Sequence, residues 1–265
     1  MRCWMVFSLV VSLVAWSAMA KDAPLRGLNS ESQATVWEAV GRLNIGRSSF
    51  CTGTLIARDL VLTAGHCLFD RVTGARVSDS DIEFLAGWRS GRASAHRTVR
   101  RALVHPDFAV DSEFPSGGMM YDLALLELEY PILDQGIVPF ATAQRPRQGA
   151  EVGIVSYGAD NSETPAFEEK CKVLGQQNGV IVTSCAVDFG SSGAPIFVMN
   201  DGVPQIVSVV SAKAEVEGKA VSLGTWLGAP LARLQEVLLL AQFALRPRPR
   251  DTEARNPAAA RLKTP

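Results

Sequence analysis

What this chain lacks narrows it before any motif is read. Beyond its first twenty residues it has no apolar run long enough to cross a bilayer. Its formal net charge is −1 over 265 residues, and nowhere does it build the dense basic face that nucleic-acid binding needs. Near-neutrality hides an asymmetry: residues 246–265 carry five Arg and one Lys against Asp251 and Glu253, net +4, while residues 21–245 carry 19 basic and 25 acidic groups, net −6. Only three histidines are present, and no two stand at a metal-ligand spacing. None of the five cysteines has a partner at the two-residue spacing of common zinc sites, so no metal and no cofactor is expected. Helical periodicity is missing between the strand-like runs, which excludes a βαβ fold.

The N-terminus reads as a secretory signal. Arg2 supplies a minimal positive region, Met5 to Trp16 a short apolar core, and Ala18-Met19-Ala20 a small-x-small cleavage pattern. Residues 1–20 are therefore expected to be removed, leaving a secreted or periplasmic chain with no membrane association after cleavage. Residues 21–35 are polar, with Pro24 and Gly27, and read as a flexible lead or pro-segment.

From residue 36 onward, short apolar or alternating runs are separated by Gly, Asp, Ser and Arg clusters. One set runs from 36 to about 130 and includes 36–45, 50–56, 60–64, 82–86, 98–104 and 123–128. A second occupies about 147–227 and includes 151–157, 170–175, 180–184, 194–199, 205–211 and 221–226. Two sets of about six short strands predict an all-β protein of two six-stranded antiparallel β-barrels. Residues 230–245 differ, with apolar residues at helical spacing behind Pro230, and predict one C-terminal α-helix. The Arg/Pro/Ala-rich tail, 246–265, has no apolar periodicity and reads as disordered.

Cys3 leaves with the signal, and Cys51, Cys67, Cys171 and Cys185 remain, an even number that suggests two disulfides in an exported chain. Of three connectivities, Cys51–Cys67 with Cys171–Cys185 is preferred because each bridge closes a short loop beside a chemically suggestive residue. Such a loop contributes about 3 kcal/mol by restricting the unfolded chain. Four free thiols or a metal site are the alternatives, the latter disfavoured by the spacing.

Three fragments carry chemistry. Ser192 lies in Gly190-Ser191-Ser192-Gly193-Ala194-Pro195, ahead of an apolar run. An alcohol attacks nothing at neutral pH unless a base takes its proton. Glycine at 190 permits backbone conformations closed to other residues, so the amides of Gly190 and Ser192 could converge as an oxyanion hole. His66 follows the run 60–64 and adjoins Cys67, and an imidazole is the side chain type suited to act as a general base near neutral pH. Asp122 opens the apolar run 123–128, where a carboxylate needs donors such as an imidazole N–H. His96, among Arg and Ser, and His105, before Pro106, read as structural.

Together these fragments resemble the trypsin/chymotrypsin-like serine peptidases, and more closely their exported bacterial members. CTGTLIARDLVLTAGHC (51–67) resembles that family's Cys-to-His segment. VHPDF (104–108) and YDLALLEL (121–128) resemble the approach to its Asp, and GSSGAP (190–195) its nucleophile motif. The likeness covers residues 36–245. It implies paired six-stranded barrels with the site between them, His66 as base, Asp122 as its orienter, Ser192 as nucleophile, and the amides of Gly190 and Ser192 as oxyanion donors.

One departure matters. Animal members of the family usually have Asp just before the nucleophile, paired with an amine released on activation; here that residue is Ser191. Any removal of the lead is then expected to act by other physical means, or not to be needed. Gly65 and Ala194, where the family often has alanine and glycine, are small-for-small exchanges.

The resemblance puts the walls of the substrate pocket at 186–189 and 207–211, with Asp188, Phe189 and Ser208 as candidates. Asp188 suggests preference for Lys or Arg, and otherwise would cap a turn. The resulting expectation is an exported, monomeric serine endopeptidase acting on protein or peptide substrates through an acyl-enzyme. A non-catalytic binding module on the same barrels, or an esterase using the same triad, is the alternative.

Overall fold

Each of the twelve strand-like runs forms a strand, and turn chemistry decides where it ends. The computed structural model describes residues 26–27, 35–46, 49–109 and 118–244. The expected signal (1–20) and tail (246–265) lie outside the described residues. So does most of the expected lead, except Thr35 and the two-residue strand β1 (Arg26–Gly27), which pairs with a strand of the second barrel.

Six antiparallel strands make the first barrel: β2 (Val40–Ile45), β3 (Ser49–Ala57), β4 (Leu60–Thr63), β5 (Ile82–Ala86), β6 (Ala95–Val104) and β7 (Ala124–Leu128). They close in the order β2-β3-β4-β7-β6-β5, with Gly41 opposite Ala86 and Ile45 opposite Ile82 at the closure. Closure leaves these strands no free edge to pair with another chain.

The second barrel comprises β8 (Glu151–Ser156), β9 (Ala166–Gln177), β10 (Val180–Thr183), β11 (Pro195–Asn200), β12 (Val203–Val216) and β13 (Lys219–Trp226). Its sheet runs β9-β10-β13-β12-β11-β8 and closes where Val155 of β8 meets Phe167 of β9. Three of its connections are two-residue hairpins: Asn178-Gly179, Asp201-Gly202 and Glu217-Gly218. Both residues of each have positive φ, between 47° and 79°. That backbone matches the right-handed twist of the flanking strands.

An aromatic seam joins the halves. Trp37, ahead of the first barrel, lies 4.9 Å from the rings of Phe167 and Phe197 of the second. Phe140, from the inter-barrel connection, is 4.8 Å from Phe197 and 5.7 Å from Trp37. The C-terminal helix, α1 (Gly228–Ala244), has Pro230 in its first turn, where a missing N–H costs nothing. Leu231, Leu234 and Leu238 form its buried stripe and join the first barrel's core, while Gln242 donates to Glu127 Oε1 of β7 at 3.2 Å. The last strand among the described residues is thus followed by an element that ties it back to the first half. No helix among the described residues is long and apolar enough to cross a membrane.

Both short-range disulfides are present, Cys51–Cys67 and Cys171–Cys185, with Cα atoms 6.3 and 5.1 Å apart. Glu168 lies close to Cys171 and Cys185, but both sulfurs are committed to the bridge, so this cluster offers no thiolate to a metal.

Candidate active site

Strand β4 runs through the core and ends in the tight turn Gly65–Leu68, which carries His66. The bridge from Cys67 to Cys51 ties that turn to β3. Asp122 stands immediately before buried Leu123 and β7, and is 0% exposed. Its charge is made tolerable by three donors. Oδ1 accepts the His66 backbone N–H at 2.8 Å, Oδ2 faces His66 Nδ1 at 2.7 Å, and the Ser211 hydroxyl donates to Oδ2. A carboxylate only accepts, so Nδ1 carries the proton and Nε2 keeps its lone pair. The Asp-to-ring bond therefore selects the tautomer with a base on its outer nitrogen. The ring itself is only partly covered, with its side chain 22% exposed.

Ser192 reaches the same cleft from the other barrel. His66, Cys67, Phe69, Phe189, Gly190 and Ser192 line a cavity of about 160 Å³ together with Phe50 at its edge. Among the described residues Ser192 Oγ makes no hydrogen bond to the imidazole, so serine and histidine share the cleft wall without a direct bond in this state. Ser192 is held through its backbone, its carbonyl accepting the Thr52 N–H at 2.8 Å.

Gly190 has φ +93°, in the region where L side chains are strained, and a Cβ there would come to 2.6 Å from the Tyr157 carbonyl and strike the Phe50 ring. Both space and backbone require glycine. The Ser191 N–H closes a turn onto Asp188 O at 3.0 Å, and the Ser191 carbonyl accepts the Ala194 N–H at 2.9 Å. Among the described residues the N–H groups of Gly190 and Ser192 have no protein acceptor, which leaves two free donors beside Ser192.

Ser191 itself is buried, and its hydroxyl donates to Ser156 Oγ at 3.0 Å while the Asp188 N–H approaches it at 3.4 Å. The position is satisfied by neutral groups. No buried charge there calls for an amine.

The candidate pocket residues separate. Phe189 lines the cleft; its ring has Lys213 Nζ 4.0 Å from the centroid and the Arg71 guanidinium at 5.1 Å. Asp188 pairs with Lys213 Nζ at 3.0 Å, and that bond, with the Phe189 N–H, holds its carboxyl below the usual carboxylate range. Ser208 is 0% exposed and donates to Thr225 O at 2.8 Å, inside the second barrel and away from the cleft lining. Register in β12 shifts after it, between Val210 and Ala212, a change that alternation alone does not disclose.

Sequence reasoning did not single out Thr52, Ser156 or the role of Ser211. Thr52 stands in the same motif as Cys51, but a threonine inside a strand carries no signal that its hydroxyl leaves the sheet. Glu168 was also missed; it accepts the Ala186 N–H at 2.8 Å and so fixes the start of the 186–189 wall. His96 pairs with Glu83 at the surface, 3.1 Å, and His105 is buried against the Tyr121 ring at 4.7 Å.

A model of the Trypsin family matches residues 28–225. The glutamyl endopeptidase of Bacillus licheniformis is 24% identical over 148 residues, covering 56% of this chain and 45% of that protein. An uncharacterized peptidase of Corynebacterium glutamicum is 23% identical over 232 residues, 81% of this chain and 73% of the other. Human mannan-binding lectin serine protease 1 is 27% identical over 143 residues, 49% of this chain and 20% of its own. The chain thus spans less than half the length of the first and a fifth of the last. Among solved structures, a Glu endopeptidase in complex with MPD superimposes with TM-score 0.62 at 18% identity, over 78% of this chain and 91% of that one. A thermostable serine protease AL20 from an extremophilic microorganism gives TM-score 0.63 at 18% identity, over 77% and 98%. At that identity the structural likeness speaks for the fold.

Proposed function

Because this chain belongs to the trypsin family, we propose that it is an exported serine endopeptidase whose catalytic residues are His66, Asp122 and Ser192. The observation that carries the reading is the buried Asp122 carboxylate holding His66 Nδ1 at 2.7 Å while Ser192 lines the same cleft. With Nδ1 occupied, Nε2 takes the Ser192 proton as Oγ attacks the scissile carbonyl. The carbonyl oxygen becomes an oxyanion, stabilised by the free N–H groups of Gly190 and Ser192. Losing one such donor typically costs about 3 kcal/mol in the transition state. His66 then gives its proton to the leaving amine, and water repeats the sequence on the acyl-enzyme.

Two disulfides support export, since such bridges persist in oxidising compartments. A preference for Lys or Arg would rest on Asp188, whose carboxylate would have to exchange the Lys213 ammonium for that of a substrate. A fluorophosphonate probe tests the nucleophile. Disulfide-intact protein is expected to be labelled and to cleave a mixed peptide library, and Ser192→Ala to do neither. A folded wild type that takes no label and cleaves nothing leaves the binding-module reading standing instead. Ester turnover without peptide cleavage selects the esterase.

A further inference from the structure

Thr52 is 0% exposed and lies on β3, in the barrel that does not carry the nucleophile. Every polar atom of this residue is engaged across an element boundary. Its backbone N–H donates to Ser192 O at 2.8 Å, and its hydroxyl donates to Gly190 O at 2.9 Å. The same hydroxyl accepts the Tyr157 N–H at 3.0 Å, just past the end of β8. Its carbonyl accepts the hydroxyl of Thr63, three residues before His66, at 2.8 Å. One buried residue thus touches the nucleophile loop twice, the second barrel once, and the histidine-bearing strand once.

The geometry points to Thr52 as a positioning residue for the oxyanion site. A hydroxyl has a single proton, and here it is spent on the Gly190 carbonyl. That bond fixes one side of the 190–191 peptide, and the Ser191 N–H, bonded to Asp188 O, fixes the other. The 192–193 peptide is fixed in the same way, its carbonyl on the Thr52 N–H and its N–H on Val210 O at 2.8 Å. Between these two pinned planes lies the 191–192 peptide, held only by its carbonyl, with its N–H turned free. Thr52 therefore sets the direction of the Ser192 donor without touching substrate, and holds Gly190 in the left-handed backbone that its own N–H requires.

This inference rests on the peptidase reading above. Thr52→Val keeps the shape and removes the hydroxyl, and Thr52→Ser keeps the hydroxyl. A donor displaced by a fraction of an ångström loses much of its value to a developing charge. Thr52→Val is expected to lower kcat by about 10- to 100-fold with KM within about twofold, and to slow fluorophosphonate labelling in parallel. It is also expected to weaken a peptide aldehyde, whose adduct carries the oxyanion, more than a peptide product. Thr52→Ser should restore most of the kcat loss.

The inference is overturned if Thr52→Val matches wild type in kcat and labelling, if the loss lies in KM, or if Thr52→Ser fails to rescue in protein of unchanged Tm. Should wild type itself neither label nor cleave, the peptidase reading falls, and this inference with it. A labelled, active wild type indistinguishable from Thr52→Val removes the inference alone.

Discussion

The two barrels have the same strand count and opposite ways of holding a reactive group. In the first, Asp122 and His66 sit at the ends of apolar strands and are fixed by burial, by a bridge and by direct bonds between them. In the second, Ser192 rides on a loop between β10 and β11 whose shape depends on glycine backbone and on bonds from elsewhere, notably Thr52. The difference teaches where each half is vulnerable: the first to a change in charge or tautomer, the second to a change in backbone freedom.

The largest effect is expected from striking the first half. Asp122→Asn preserves volume but reverses the role of one atom facing the imidazole, so the ring loses its fixed tautomer, and kcat should fall by roughly 10⁴-fold. Steady-state kinetics with a folded control measures this, and a drop under tenfold would put Asp122 outside the mechanism.

The second half should respond to backbone instead. Gly190→Ala meets Phe50 and Tyr157 O in a left-handed conformation and should cost about 10²- to 10³-fold in kcat. Gly65→Ala in the first half is the contrast. Its nearest neighbours would be Val104 Cγ1 at 3.2 Å and Asp122 Oδ1 at 3.3 Å, with no left-handed φ. Equal losses from these two alanines would erase the distinction between the halves.

The smallest effect concerns pH and stability. His105, stacked on Tyr121 one residue from Asp122, accepts the Asp107 N–H on Nδ1 at 3.2 Å. Burial pushes its pKa below 6.5; Asp107 nearby acts the other way, and Arg233 adds to the lowering. The unfolded chain therefore binds the proton more readily than the folded one. This contribution is intact above about pH 6.5 and is lost as pH falls from there toward the folded pKa. The second barrel holds its loop with hydroxyls that do not titrate in this range. Replacing His105 by Asn keeps an acceptor for Asp107, and should shrink the Tm difference between pH 7.5 and pH 5 by a few degrees. An unchanged slope would assign the acid sensitivity to other groups.

Strand existence was legible because apolar runs bounded by Gly and Asp are local signals: β5 has the sequence-expected ends, 82–86, and β10 ends one residue short of the expected 180–184. Strand β12 grows into polar residues beyond its expected 205–211, because hairpins with left-handed turn residues at both its ends propagate pairing irrespective of burial, while β9 starts before its expected 170–175, at Ala166, where it pairs with β8. Strand β1 went unseen since two residues carry no periodicity. The 190–195 loop, His66 and Asp122 were visible as residue types beside strand ends. Ser211 was counted in a pocket wall, and its bond to Asp122 arises from a fold that brings β12 to the first barrel, a contact 89 residues distant. The same holds for Thr52 and Gly190, 138 residues apart. Such partners are a property of the closed pair, and no window of sequence contains them.

The partition of the site across two separately closed barrels has a bearing on the life of the chain before it is finished. During synthesis the first half emerges with its imidazole and carboxylate but without the alcohol, and the alcohol arrives on a loop bonded to Thr52 in the half already made. On the peptidase proposal, imidazole and alcohol meet only when both halves have docked, so an incomplete copy would lack the proposed site.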